Sequence, residues 1–309
     1  MQNIYEAKSA NKRKSTIIVV LFFVFVGISF YFIFQAFNYY LGYGPGGLGL
    51  MGVALIFSGL LSFTSYYFSD RIVLGISKAR EADRKRDFEL YTVTENLALG
   101  AGLPKPKIFI IEDSATNAFA TGRDPEHAVV CATRGLVDKL SRTELEGVIA
   151  HELSHIKNYD IRLMSVVAVL VGSIALLGDL FLRARFVGGG RGKSEGKAGA
   201  IFMLIGLVFV ILSPVVANLI KLAISRRREF LADTGSVAIT RQPQGLIDAL
   251  KKITHDQEPL EAANKATAHL YITNPFKGKK DKRAVSKMAS LFNTHPPIKD
   301  RIKALENMR

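Results

Sequence analysis

The sequence predicts an α+β membrane protein: a mainly helical domain with a small β-sheet, plus four hydrophobic helices. Three observations predict it. Four long apolar runs concentrate the hydrophobic excess of a 309-residue chain that is 49% hydrophobic. Between the second and third runs lie short β-patterned stretches bounded by turn residues. Just before the third run, helix-start chemistry leads into His151-Glu152-Leu153-Ser154-His155.

The first run, residues 15–37, is rich in Ile, Val and Phe, carries no charge and is long enough to cross a bilayer. Lys8, Lys12, Arg13 and Lys14 precede it, a layout that resembles a secretory leader. The apolar core is too long for one and no small-residue cleavage site follows, so it reads as a retained anchor. An uncharged loop, residues 38–47, joins it to the second run, 48–68. Arg71, Lys78, Arg80, Arg84, Lys85 and Arg86 come next. Basic flanks around a neutral loop put the N-terminus and everything beyond residue 70 on the cytoplasmic side of the cell's inner (plasma) membrane.

The soluble stretch that follows reads as a helix over 81–100 and strands over 107–111, 117–122 and 128–132. The third run, 163–182, and the fourth, 198–224, form a second pair that ends at Arg226-Arg227-Arg228. Their loop carries Arg183, Arg185, Arg191, Lys193 and Lys197, the wrong sign for an external loop, and Asp179 sits within the third run. The pair reads as a spanning hairpin, with a shallow or protein-buried hairpin as the other reading. Residues 225–309 read as mostly helical, with a basic loop over 274–282. The organisation is therefore an anchor hairpin (1–70), a first catalytic part (71–160), a second hydrophobic hairpin (161–224) and a second catalytic part (225–309).

The formal net charge is +14. No nucleic-acid motif is present and the basic residues flank the apolar runs, so the charge points to a lipid bilayer and not to nucleic acid. Cys131 is the only cysteine, which excludes an intrachain disulfide and fits a reducing compartment. His127, His255 and His269 stand alone, without metal-ligand spacing, and read as surface or structural residues.

The H-E-x-x-H spacing has a chemical meaning. Residues i and i+4 share a helix face, so His151 and His155 can grip one ion. Glu152 points aside, where it can reach a water on that ion without being a ligand. Ser141-Arg142-Thr143-Glu144 is a capping box that opens the helix, and Leu145, Val148, Ile149 and Ile156 give it a buried face. A catalytic Zn²⁺ needs a third protein ligand. Glu229 and Asp233, i and i+4 on a predicted helix, are the candidates: Glu229 as ligand, Asp233 as acceptor for a ligand imidazole. A solvated helix face with ordinary i,i+4 ion pairs has the same spacing.

The chain resembles the HtpX family of membrane-bound zinc metalloproteases, related to the CAAX prenyl proteases. The resemblance covers nearly the whole length. It rests on the N-terminal hairpin, Asn117-Ala118-Phe119-Ala120-Thr121-Gly122, His151 to His155, the second hydrophobic pair, Glu229 to Asp233, and His295-Pro296-Pro297 with Arg301. It implies a zincin-like (gluzincin) catalytic domain. One Zn²⁺ per subunit would be held by His151, His155 and Glu229, with Glu152 as general base and Asp233 behind the ligands. It further implies that residues 117–122, with Asn117, lie along the cleft beside an extended substrate, and that His295 and Arg301 serve as substrate or oxyanion contacts. A plain edge strand and an ordinary helix-start turn are the plainer readings of those two segments.

The implied activity is endopeptidase cleavage of damaged or misfolded membrane proteins at the cytoplasmic face, in quality control and stress response. Two other readings stand beside it: a CAAX-type prenyl-peptide protease, for which four apolar runs are few, and a non-catalytic scaffold with a vestigial site, which would not need Glu152. Cleavage specificity and oligomeric state are not encoded in any motif.

Overall fold

The computed structural model describes residues 66–169, 226–263, 267–276 and 296–308, with scattered helical positions between 13 and 64. The third run beyond residue 169, the whole fourth run, the loop over 277–282 and His295 lie outside the described residues. Among the described residues no helix is long and apolar enough to cross a membrane. Within the first two runs, Ile17, Val24, Ile28, Ile56, Leu60 and Phe63 are helical and turn large apolar side chains outward.

Helix α1 (Ser69–Ile76) leads into the short strand β1 (Arg80–Glu81). The helix expected from residue 81 starts later, as α2 (Phe88–Gly100). The cause is local polar chemistry. Asp83 Oδ1 accepts the backbone N–H groups of Lys85 and Arg86 at 2.9 and 2.8 Å, which fixes a turn. Asp87 accepts the Asp83 N–H at 2.9 Å and is ion-paired to Arg80 at 2.8 Å and to Arg134.

Strands β2 (Lys107–Ile111), β3 (Ala118–Gly122) and β4 (Ala128–Thr133) fall where the sequence places them. The sheet order is β1-β2-β4-β3, with β2 and β4 parallel and the other pairs antiparallel. Both faces are covered. Ile108, Ile110, Ala118, Ala120, Val130 and Ala132 face a core shared with α2 and the helices below. Ile111, Phe119, Val129 and Cys131 face a second core built from Val73 and Leu74 of α1, Leu163, Met164 and Val167, and Leu260, Leu270 and Tyr271. The first turns of the third run, helical over 160–169, are therefore protein core. Ser165 there bonds Gly122 of β3.

After the short α3 (Arg134–Lys139) comes α4 (Arg142–Lys157), which carries the H-E-x-x-H residues. Its capping box is formed: Glu144 accepts the Ser141 N–H at 2.7 Å and the Ser141 hydroxyl accepts the Glu144 N–H at 3.4 Å. α4 is buried almost all round, as a central helix must be. Leu145, Val148, Ile149, Leu153 and Ile156 are each essentially unexposed, and burying such a side chain contributes about 1.5–3 kcal/mol.

Small residues bring the partner helices close. α5 (Arg226–Thr240) crosses α4 where Gly235 faces Ser154 and the Ser236 hydroxyl donates to the Gly147 carbonyl at 2.8 Å. α6 (Gln244–His255) packs so tightly that a Cβ on Gly147 would lie 2.5 Å from the Leu246 nitrogen. Two described stretches of the tail that the sequence reads as helix are not helical. Residues 256–263 and 267–276 run as turns and extended chain, with Pro259 and Pro275 unable to donate to a helix. The short α7 (Ile298–Glu306) follows Pro296 and Pro297.

Candidate metal centre

Three side chains from two helices meet between α4 and α5. His151 Nε2 and His155 Nε2 face each other at 3.2 Å. Glu229 places Oε1 3.6 Å from His155 Nε2 and Oε2 4.0 Å from His151 Nε2. All three residues are buried, and one donor atom from each lies within 4.8 Å of the others. Tetrahedral zinc with bonds of 2.0–2.1 Å separates its ligand atoms by about 3.3 Å. The donor set has the right chemistry and nearly that spacing, so the residues fit a zinc ion. α5 presents this face because Arg228, Glu229, Ala232, Asp233 and Ser236 recur at helical spacing and are all buried.

Behind the imidazoles stand carboxylates. Asp233 Oδ1 lies 3.0 Å from His151 Nδ1. Arg301, at the start of α7, donates to Asp233 from Nη2 at 2.6 Å and from Nε at 2.9 Å. Arg301 is 0% exposed, and among the described residues its Nη1 has no hydrogen-bond partner while lying 3.6 Å from Glu229 Oε2. Arg301, expected beside the substrate, is placed against Asp233, with Nη2 also 3.4 Å from His151 Nδ1. On the other side, Asp160 Oδ2 lies 3.1 Å from His155 Nδ1. Sequence reasoning missed Asp160. Its signal was a lone carboxylate five residues after His155, at the head of an apolar run.

Glu152 is buried beside the donor set. Burial pushes its carboxyl up to about 7; nearby His155 and Arg301 oppose the rise and Glu229 adds to it. His151 is lowered to about 4, chiefly by burial and then by Arg301. Burial also opposes charge on His155, but Asp160 and Glu229 outweigh it and raise this imidazole to about 9. Asp233 is desolvated, yet Arg301 and His151 hold it below the usual carboxylate range.

β3 is an edge strand, and its outer edge is met by the 267–276 segment. The Ala118 carbonyl accepts the Ile272 N–H at 3.0 Å, and the Asn117 amide donates to the Thr273 carbonyl at 3.2 Å. Asn117 thus pins the 267–276 segment to β3. His269 is fully buried, with Nε2 3.1 Å from the Met164 carbonyl. Asp124, Glu126 and His127 form a second, exposed polar group. Asp124 there caps the turn before β4 by accepting the His127 N–H at 2.8 Å.

Comparison with known proteins decides the family. The family described as "Peptidase family M48" matches residues 84–309. The chain belongs to peptidase family M48. Relatives named "Protease HtpX homolog" are 40% identical in Caldanaerobacter subterraneus, across 99% of this chain and 98% of theirs. The homologue of Dictyoglomus thermophilum is 44% identical, across 98% of this chain and 94% of its own. That of Listeria monocytogenes is 43% identical, across 99% of this chain and 100% of its own. The chain is thus an HtpX-type metallopeptidase, an enzyme that acts on peptide bonds. A solved structure of S. mikatae Ste24p shares the fold at a TM-score of 0.50 and 18% identity, covering 97% of this chain. This M48 chain spans 66% of that structure's length.

Proposed function

We propose that this M48 peptidase is an integral-membrane zinc endopeptidase that cleaves damaged or misfolded membrane proteins at the cytoplasmic face. The observation that carries the reading is the buried His151–His155–Glu229 set with the Glu152 carboxylate beside it. Its place in the chain supports the membrane part. α4 leads directly into the third run, and α5 begins at residue 226, where the fourth ends. The outward apolar side chains of the first two runs suit a lipid surface. A site there meets the segments that a membrane protein exposes on the basic side of the bilayer.

His151, His155 and Glu229 hold the ion in this reading. Bound there, zinc supplies a Lewis acid that polarises a peptide carbonyl and lowers the pKa of water. The chain's own groups do the rest. Asp233 fixes the His151 ring with Nδ1 engaged and Nε2 turned inward. Glu152 takes a proton from the attacking water and returns it to the leaving amine. Burial raises the Glu152 carboxyl above the ordinary carboxylate range, which makes it a stronger base for the first step. The walls of α4 and α5 exclude bulk water, which strengthens each of these interactions.

The test is Glu152→Gln in purified full-length protein. Zinc content stays at the wild-type level while cleavage of an unfolded membrane protein and of casein falls by about a thousandfold or more. Cleavage at the wild-type rate by a zinc-loaded Glu152→Gln protein would refute the role given to Glu152.

A further inference from the structure

Both imidazoles of the metal centre are held from behind, and by different parts of the chain. His151 is held by Asp233, which Arg301 fixes. His155 is held by Asp160, whose Oδ2 lies 3.1 Å from Nδ1. The other oxygen of Asp160 lies 3.5 Å from Arg228 Nε. Asp160 and Arg228 are both buried. The two Nε2 atoms are thereby turned towards each other and towards Glu229.

The chain bends sharply to achieve this. α4 ends at Lys157, and Tyr159 takes a left-handed φ of 61° before Asp160 starts the next helix. A non-glycine residue in that region is strained and persists only where its surroundings demand it. Here the bend returns the Asp160 carboxylate beneath His155. Arg228 reaches it from the residue next to Glu229, so a ligand and a support of the opposite ligand are neighbours on one helix.

We propose that Asp160 is a positioning residue for the metal: it holds His155 with Nδ1–H engaged and Nε2 free to ligate, and Arg228 keeps it in place. The inference rests on His151, His155 and Glu229 being the ligands. It gives the centre a second carboxylate–imidazole pair matching His151–Asp233. The consequence is for metal affinity and ring orientation, with no contact between Asp160 and substrate.

The experiment uses full-length protein in detergent carrying Glu152→Gln, so that no self-cleavage intervenes. Zinc dissociation constants are measured by chelator competition at one pH, and thermal midpoints are measured with and without zinc. Asp160→Ala weakens zinc binding by about 10–100-fold while the zinc-free midpoint stays near that of the parent. Asp160→Asn, which keeps an oxygen to accept the Nδ1 proton, loses less and carries the test if the alanine variant does not fold. Cobalt loaded in place of zinc gives a visible spectrum that shifts in the folded Asp160 variants, because a released imidazole changes the ligand field. A zinc constant within threefold of the parent in a folded Asp160 variant, with an unchanged cobalt spectrum, overturns the inference alone. A parent that binds no zinc, or binds it equally well after Glu229→Ala, overturns the site reading and this inference with it.

Discussion

Replacing Gly147 with alanine tests whether the close approach of α4 and α6 sets the geometry of the metal centre. The new Cβ would lie 2.5 Å from the Leu246 nitrogen, 2.8 Å from its Cα and 2.9 Å from the Gly245 carbonyl carbon. All three are backbone atoms, so no side chain can swing aside. Unstrained contacts between such atoms sit at about 3.5 Å or more, and the helices must part by about 1 Å. Overpacking of this kind costs about 1–3 kcal/mol. Alanine's better helix propensity returns about 0.5–1 kcal/mol, which leaves a net loss of about 0–2.5 kcal/mol. His151 is one turn further along the same helix, so the displacement reaches a proposed ligand. A misplacement of about 1 Å at a reacting centre can cost about 100-fold in rate. The measurement is a thermal midpoint in detergent together with peptide cleavage per bound zinc. Gly75→Ala in α1 is the control, because nothing lies within 4 Å of its Cβ position. It should be neutral or slightly stabilising. A Gly147→Ala protein as stable and as active as wild type would show that the spacing is not set there.

Three further outcomes follow from the same geometry. Glu229→Ala should lower zinc content after dialysis against a weak chelator, and unchanged zinc would remove Glu229 from the ligand set. Zinc affinity of the metal-free protein should rise with pH towards about 9, because the protonated His155 raised there cannot ligate. The rise is about tenfold per pH unit from this group, and chelator competition in Glu152→Gln protein between pH 6 and 8.5 would refute it by a flat profile. Asp233→Ala leaves the fully buried Arg301 without its main partner and should destabilise the protein by about 3–5 kcal/mol. Denaturant unfolding reads this directly, and a loss under about 1 kcal/mol would mean that Arg301 finds another carboxylate.

What the sequence reveals here depends on how local each cause is. The capping box at Ser141 and Glu144 is a contact between near neighbours, so the helix that carries His151 and His155 is readable from the chain. The strands at Ile108, Phe119 and Val130 are readable as short apolar runs, although both of their faces are buried and no alternation marks which side is which. The late start of α2 is not readable from periodicity, because the side chains of Asp83 and Asp87 capture backbone that the pattern would give to a helix. Asp160 is harder still. Its approach to His155 depends on the left-handed Tyr159, a conformation that no spacing rule predicts. The engagement of Asn117 with Thr273, across more than 150 residues, is a matter of tertiary packing alone.

The separation of His155 and Glu229 also has a meaning in time. The two residues are 74 positions apart (229 − 155), and most of the interval is the second apolar pair. At about 5–20 residues per second, synthesis of that interval takes about 4–15 seconds. Throughout it, the nascent chain holds His151, Glu152 and His155 but lacks Glu229, the proposed third ligand. Arg301 and the rest of α7 follow later still. On the proposed ligand set, the site is completed only after the hydrophobic segments between α4 and α5 have been made. The order of the residues along the chain serves as a delay.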